Sequence, residues 1–149
     1  MLVKTETIAN FREKVFQLQD FMDGVEAKAD CPVKHIFAPG VYAREIFIPA
    51  GSLVVGKIHK HAHLNFITKG RVKVATETGA REYEAPYTFV SEVGTKRAVY
   101  AIEDTIWTTI HVTDETDLEK IEDYVIAKSY DDLPALEVSA HDLIEGAAT

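Results

Sequence analysis

The densest chemistry in this chain lies in the run GKIHKHAHLN, residues 56–65, which carries histidines at 59, 61 and 63. Neutral imidazole nitrogen is a common protein ligand for iron, nickel, zinc or copper. Alternation along a strand puts Lys57 and His59 on one face, and His63 opens the next strand after the tight Lys60-His61-Ala62 connection. His59 and His63 are therefore candidate ligands of a divalent transition metal, with iron, nickel, manganese or zinc expected. Two ligands are too few, so a third donor is required. The competing reading is a pair of histidines hydrogen-bonded in a polar interior with no metal at all. Lys57 and Arg97 add a second kind of chemistry, since both are donors suited to carboxylate or phosphate, although a charged strand residue also fits a solvated face. Lys57 becomes a candidate general acid or base if burial lowers its pKa.

These residues sit among short β-type runs: REIFIP (44–49), SLVVGKI (52–58), HLNFIT (63–68), RVKVATE (71–77), YTFVS (87–91), KRAVYAIE (96–103) and TIWTTIHV (105–112). Turn residues such as Pro49-Ala50-Gly51, Lys69-Gly70 and Thr78-Gly79 separate several of them. Many short strands with close punctuation describe an antiparallel sandwich or closed barrel. Before this region, Ile8, Phe11, Val15, Leu18 and Met22 recur at helical spacing, which predicts an amphipathic helix over about 5–22. After it, Leu118, Ile121, Val125 and Ile126 predict a second helix over about 117–129, started by the acidic run Asp114, Glu115 and Asp117. Pro134 and a weakly patterned tail to 149 follow. Apolar stripes on the helices either pair two copies into a homodimer or cover the chain's own barrel.

A length of 149 residues with 46% apolar content makes one domain with a single core. A net charge of −8 argues against a nucleic-acid partner. No apolar run approaches the ~18 residues of a membrane span, and the stretch MLVKTETIANFREKV has no apolar run that would serve as a secretory signal, so neither is expected. A lone Cys31 cannot form an internal disulfide, so a reducing cytoplasm is expected, with Cys31 itself read more readily as a small hydrophobe than as a reactive thiol.

Gly51, Lys57, His59, His63 and Gly70 fall at the five fixed positions of the first cupin motif, G-x5-H-x-H-x3-E-x6-G. The glycines fix the register, because reading His59-x-His61 as the histidine pair would require glycine at Leu53 and near Val72. The second motif, G-x5-P-x-G-x2-H-x3-N, aligns from Pro86 through Glu92, Gly94 and Arg97 to Ala101, and only Gly94 is retained. The chain thus resembles the cupin superfamily (RmlC-like jelly rolls) over about 40–113. Its texture over about 31–126 is similar to that of small single-domain cupins often encoded by bacteriophages and prophages. The resemblance implies a mainly β fold, a double-stranded β-helix barrel at about 40–113 flanked by an N-terminal and a C-terminal helix, in a bacterial host's cytoplasm.

In that family the face carrying His59 is the barrel interior. Lysine stands at the first ligand position, histidine replaces the glutamate at His63, and Arg97 replaces the third histidine with a cation that cannot coordinate a metal. His111 is then the leading third ligand, because TIWTTIHV is the strand after the second motif and places Trp107, Thr109 and His111 on one face; His61 is next if its loop folds inward. His141 reads as solvent-facing, and His35 as either lining the barrel mouth or capping a loop. A three-histidine site without a carboxylate is more electrophilic and draws a small anionic ligand, which Lys57 and Arg97 at inward positions would bind. Arg44 and Glu45 point to opposite faces, so at most one joins the pocket, and Tyr42 and Tyr100 are candidate phenols.

The leading expectation is a cupin holding metal on His59, His63 and His111, with metal-assisted oxidation or isomerisation as its activity. The alternatives are a metal-free module for a nucleotide, sugar phosphate or carboxylate, or a structural phage accessory protein. Some sugar-nucleotide epimerases use the cupin fold without metal, which would cast His63 as base and Tyr100 as acid.

Overall fold

The computed structural model describes residues 10–17, 30–76 and 79–129. Residues 10–17 are helical (α1), and Val15, at 4% exposure, is the buried residue of that turn. The flanks of the expected 5–22 helix, with Ile8, Leu18 and Met22, lie outside the described residues, as does the tail from 130 with His141.

Eleven strands follow among the described residues: β1 (Val33–Ala38), β2 (Val41–Ile48), β3 (Leu53–Val55), β4 (Ile58–His59), β5 (His63–Lys69), β6 (Arg71–Thr76), β7 (Gly79–Glu84), β8 (Tyr87–Ser91), β9 (Ala98–Ala101), β10 (Thr105–Val112) and β11 (Ile126–Ala127). They form a five-stranded sheet ordered β1-β2-β10-β5-β8, a four-stranded sheet ordered β3-β9-β6-β7, and the short pair β11-β4, every pairing antiparallel. The strands therefore begin at Val33 rather than near residue 40. The run 52–58 is broken at Gly56-Lys57 into β3 and β4. The edge strand β7, GAREYE, is mostly exposed, and without an apolar face it carries no strand pattern.

Alternation sends one set of side chains between the two larger sheets. Ile48, Ile67, Val72, Val74, Val99, Ala101 and Trp107 pack there as the main core. Three glycines of the cupin motifs have left-handed backbones: Gly51 (φ 83°), Gly70 (φ 94°) and Gly94 (φ 81°). At Gly70 a Cβ would also collide with the Asp104 carbonyl and with Thr105, so this turn requires glycine on two grounds.

Helix α2 (Leu118–Val125) belongs to a second buried cluster, separate from that core. Asp117 caps it, its side chain accepting from Glu119 N at 3.0 Å and Lys120 N at 3.4 Å, as the acidic run leads one to expect. It ends at Val125, short of the expected 129, because Ile126 is extended and pairs with His59 in β4. Ile121 and Val125 are buried against Tyr42, so the apolar stripe of α2 covers its own barrel. No helix among the described residues is long and apolar enough to cross a membrane.

Candidate functional site

The inner face of the five-stranded sheet is laid out in rows by strand register. His111 pairs with Tyr42, Thr109 with Arg44 and Asn65, and Trp107 with Ile46 and Ile67, while His63 pairs with Ser91 and Asn65 with Phe89. Together with residues of β3, β4, β9 and α2 they enclose a cavity of about 450 Å³.

Three histidines meet in it. The rings of His59 and His63 are 4.2 Å apart between centroids, those of His63 and His111 4.9 Å, and those of His59 and His111 5.5 Å. Burial, reinforced by the neighbouring imidazoles and by Arg97, lowers the His59 pKa to about 3. Burial first, then His63 and Arg44, lowers that of His111 to about 4. Burial also lowers that of His63. All three are therefore neutral at pH 7, the form that ligates. His63 Nδ1 lies 3.4 Å from the His61 carbonyl, and its Nε2 is buried with no partner.

Three imidazoles sharing one ion at ~2.1 Å from each nitrogen have ring centroids ~5 Å apart, close to the spacings seen here. Donor number, neutrality and spacing thus fit a transition metal. Orientation is not preset: among the described residues no group of three His, Cys, Asp or Glu side chains forms a ready metal site. The His59 and His111 rings are stacked at 11° and the other two pairs tilted by about 40°, so ligation requires the donor nitrogens to turn towards one point.

Arg97, just before β9, reaches the same cavity. Its Nη2 donates to Ser91 Oγ, and its guanidinium lies 5.2 Å from the Phe89 ring centroid and 5.8 Å from that of Trp107. Burial lowers its pKa to about 10, which leaves it a cation at pH 7. No carboxylate among the described residues forms an ion pair with it. An uncompensated charge in a cavity costs free energy and favours an incoming anion.

Behind this cation runs a polar chain that the sequence reading missed. Indole nitrogen only donates, so the Asn65 atom 3.0 Å from Trp107 Nε1 is its oxygen, and Asn65 Nδ2 donates to Ser91 Oγ at 2.6 Å. Asn65 has no solvent exposure. The signal was available: a strand alternating from His63 through Asn65 to Ile67 puts an amide on the inward face.

Other expectations are corrected. Lys57 lines the cavity only with a side chain that is 59% exposed and ion-paired to Glu122 of α2. The strand break at Gly56-Lys57 removes the alternation that would have turned it inward, and with burial goes the basis for an acid or base role. Tyr100 is 46% exposed and stands on β9 opposite Leu53 and Lys73, outside the cavity. Tyr42 is the phenol at the site, buried and hydrogen-bonded to His35 Nδ1 at 2.7 Å, with His35 at the cavity wall. Arg44, not Glu45, faces inward; Glu45 pairs with Lys34 at 3.7 Å on the outer face. His61 is exposed and lies against Tyr124, with ring centroids 4.6 Å apart, rather than folding inward.

No protein-family model matches the chain. No curated protein matches it either. Among solved structures it is similar to KdgF from Halomonas sp., at 17% identity over 62% of this chain and 88% of that one, with a TM-score of 0.51. It is similar also to a putative ethanolamine utilization protein Q from Salmonella typhimurium LT2, at 9% identity over 62% and 76% of the two chains, with a TM-score of 0.51. An RmlC-like cupin family protein with a double-stranded β-helix fold from Methanocaldococcus jannaschii is 16% identical over 60% and 84%, with a TM-score of 0.48. At such identities the likeness is one of fold: the chain shares its mainly β, antiparallel architecture with the KdgF and ethanolamine utilization protein Q structures.

Proposed function

We propose that the barrel holds a divalent transition metal on His59, His63 and His111, and a small anion whose acidic group pairs with Arg97. Its reaction would be a metal-assisted oxidation or isomerisation of that anion. The observation that carries this reading is the juxtaposition, in one cavity, of three neutral imidazoles and a partly buried arginine that no carboxylate among the described residues pairs with. A bound metal with three neutral ligands would keep its full charge and polarise an oxygen of the substrate. The chain's own residues do the positioning: Phe89 and Trp107 fix the plane of the Arg97 guanidinium, Ser91 and Asn65 fix its direction, and α2 limits water at the mouth. The similarity to small phage-encoded cupins makes a bacterial cytoplasm the setting we propose.

The test is elemental analysis of untagged protein, wild type against the His59→Ala/His63→Ala double variant, after reconstitution with iron, nickel, manganese or zinc. About one metal per chain in wild type, lost in the variant, supports the reading. Equal trace metal in both would sink it. A metal-free anion-binding module is the second reading, favoured by the absence of a ready metal site among the described residues. It requires ligand-induced thermal stabilisation that chelators leave intact and Arg97→Ala abolishes.

A further inference from the structure

Apart from the imidazoles, the charged residues lining the cavity are Arg44, Lys57, Arg97 and Glu122. Lys57 and Glu122 neutralise one another as an ion pair. Two arginines remain, inside a protein whose net charge is −8. Arg44 stands on β2 between His35 and Thr109, with Tyr42 and Ile46 on the same inward face, and makes no ion pair among the described residues. The charge of Arg44 acts on His111, Tyr42 and Glu122, and that of Arg97 on His59 and His63.

The sheet order separates them. Arg44 on β2 and Phe89 on β8, over which Arg97 stacks, are three strand positions apart, ~14 Å at the backbone for strands spaced ~4.8 Å. Arginine side chains reaching inward from both walls leave a gap suited to two carboxylates joined by a few methylenes. Thr109 and Asn65 lie in register between Arg44 and Phe89, and Ile46 and Trp107, paired in the next inward row, offer those methylenes an apolar surface. A compact dianion such as phosphate would engage one guanidinium at a time.

We infer that the cavity takes a short-chain dicarboxylate, held at one end by Arg97 and at the other by Arg44. This rests on the proposed anion site at Arg97 and adds the second anchor and the ligand class. Each arginine matches a carboxylate with two parallel hydrogen bonds, so both ends are recognised by geometry as well as by charge.

Titrations of the full chain with glutarate, adipate, butyrate and inorganic phosphate, followed by calorimetry and by the fluorescence of Trp107, the chain's single tryptophan, test this. Wild type should bind glutarate or adipate at least about tenfold more tightly than butyrate or phosphate, since a charge-assisted pair is worth about that much. Arg44→Gln should reduce the dicarboxylates to the affinity of butyrate, Arg44→Lys should restore part of the difference, and Glu45→Gln on the outer face should change nothing. Equal binding of butyrate and dicarboxylates by wild type overturns the inference, as does a preference that survives in a folded Arg44→Gln. Should that variant not fold, the wild-type series and Arg44→Lys decide. Butyrate binding undiminished in Arg97→Gln would instead remove the Arg97 anchor and with it the underlying anion site. Failure of every anion to bind wild type would remove both.

Discussion

The His63 and His111 rings, 4.9 Å apart between centroids, come from adjacent strands of one sheet, and the Nε2 of His63 is sealed from solvent without a hydrogen-bond partner. A buried polar nitrogen left unpaired costs ~1–3 kcal/mol. That cost makes His63 a residue whose contribution should change sign with metal. In metal-free protein His63→Leu should be neutral or stabilising by urea unfolding, while in zinc-loaded protein it should lose the whole metal-dependent rise in stability. A variant that destabilises the metal-free form as much as the loaded form would show that His63 is there for packing.

Burial of neutral histidines also sets a pH dependence. His59 and His111 have folded pKa values lowered to about 3 and about 4, against 6.5 for the ordinary side chain. Below pH 6.5 the unfolded chain takes up protons that the folded chain refuses, so stability is complete above that value and falls as pH drops towards 4. The loss should be on the order of a few kcal/mol. Urea unfolding of metal-free protein between pH 7.5 and 4, compared with a His59→Gln/His111→Gln variant, measures it. A variant with the same slope as wild type would place the titrating groups elsewhere.

What the sequence disclosed and what it hid follow from the range of the interactions. Gly51, Gly70 and Gly94 were legible because left-handed turns demand glycine locally, and they set the register that brought His59 and His63 inward. His111 joined them because strand alternation is a two-residue rule. Lys57 was misread because the same rule fails across a break between β3 and β4, and its partner Glu122 lies in a helix far along the chain. Tyr100 was misread although alternation with the apolar Val99 and Ala101, both buried, puts it on the outer face of β9. The Trp107-Asn65-Ser91-Arg97 chain joins residues from separate segments, and no local pattern announces it.

Lys57 and Glu122 form an ion pair with both side chains more than half exposed, 59% and 54%. Exposed pairs contribute ~0–1 kcal/mol. Lys57→Ala should therefore change stability by less than about 1 kcal/mol and leave metal content at the wild-type level. Loss of metal in this variant, read by elemental analysis, would return Lys57 to the site.

Asn65 should prove far more sensitive. Its oxygen accepts from Trp107 Nε1, and its amide donates to Ser91 Oγ, which also receives Arg97, and to the His63 carbonyl at 3.4 Å. Asn65→Ala leaves the indole N–H buried without an acceptor and opens a small void, so a loss of about 2–3 kcal/mol is expected by urea unfolding. Asn65→Asp keeps the acceptor for Trp107 but introduces a carboxylate beside Ser91, within reach of the arginine. That carboxylate should neutralise Arg97 internally and weaken anion binding at least about tenfold, with a smaller loss of stability than the alanine variant. If Asn65→Asp binds anions as wild type does, Arg97 is not the group that receives them.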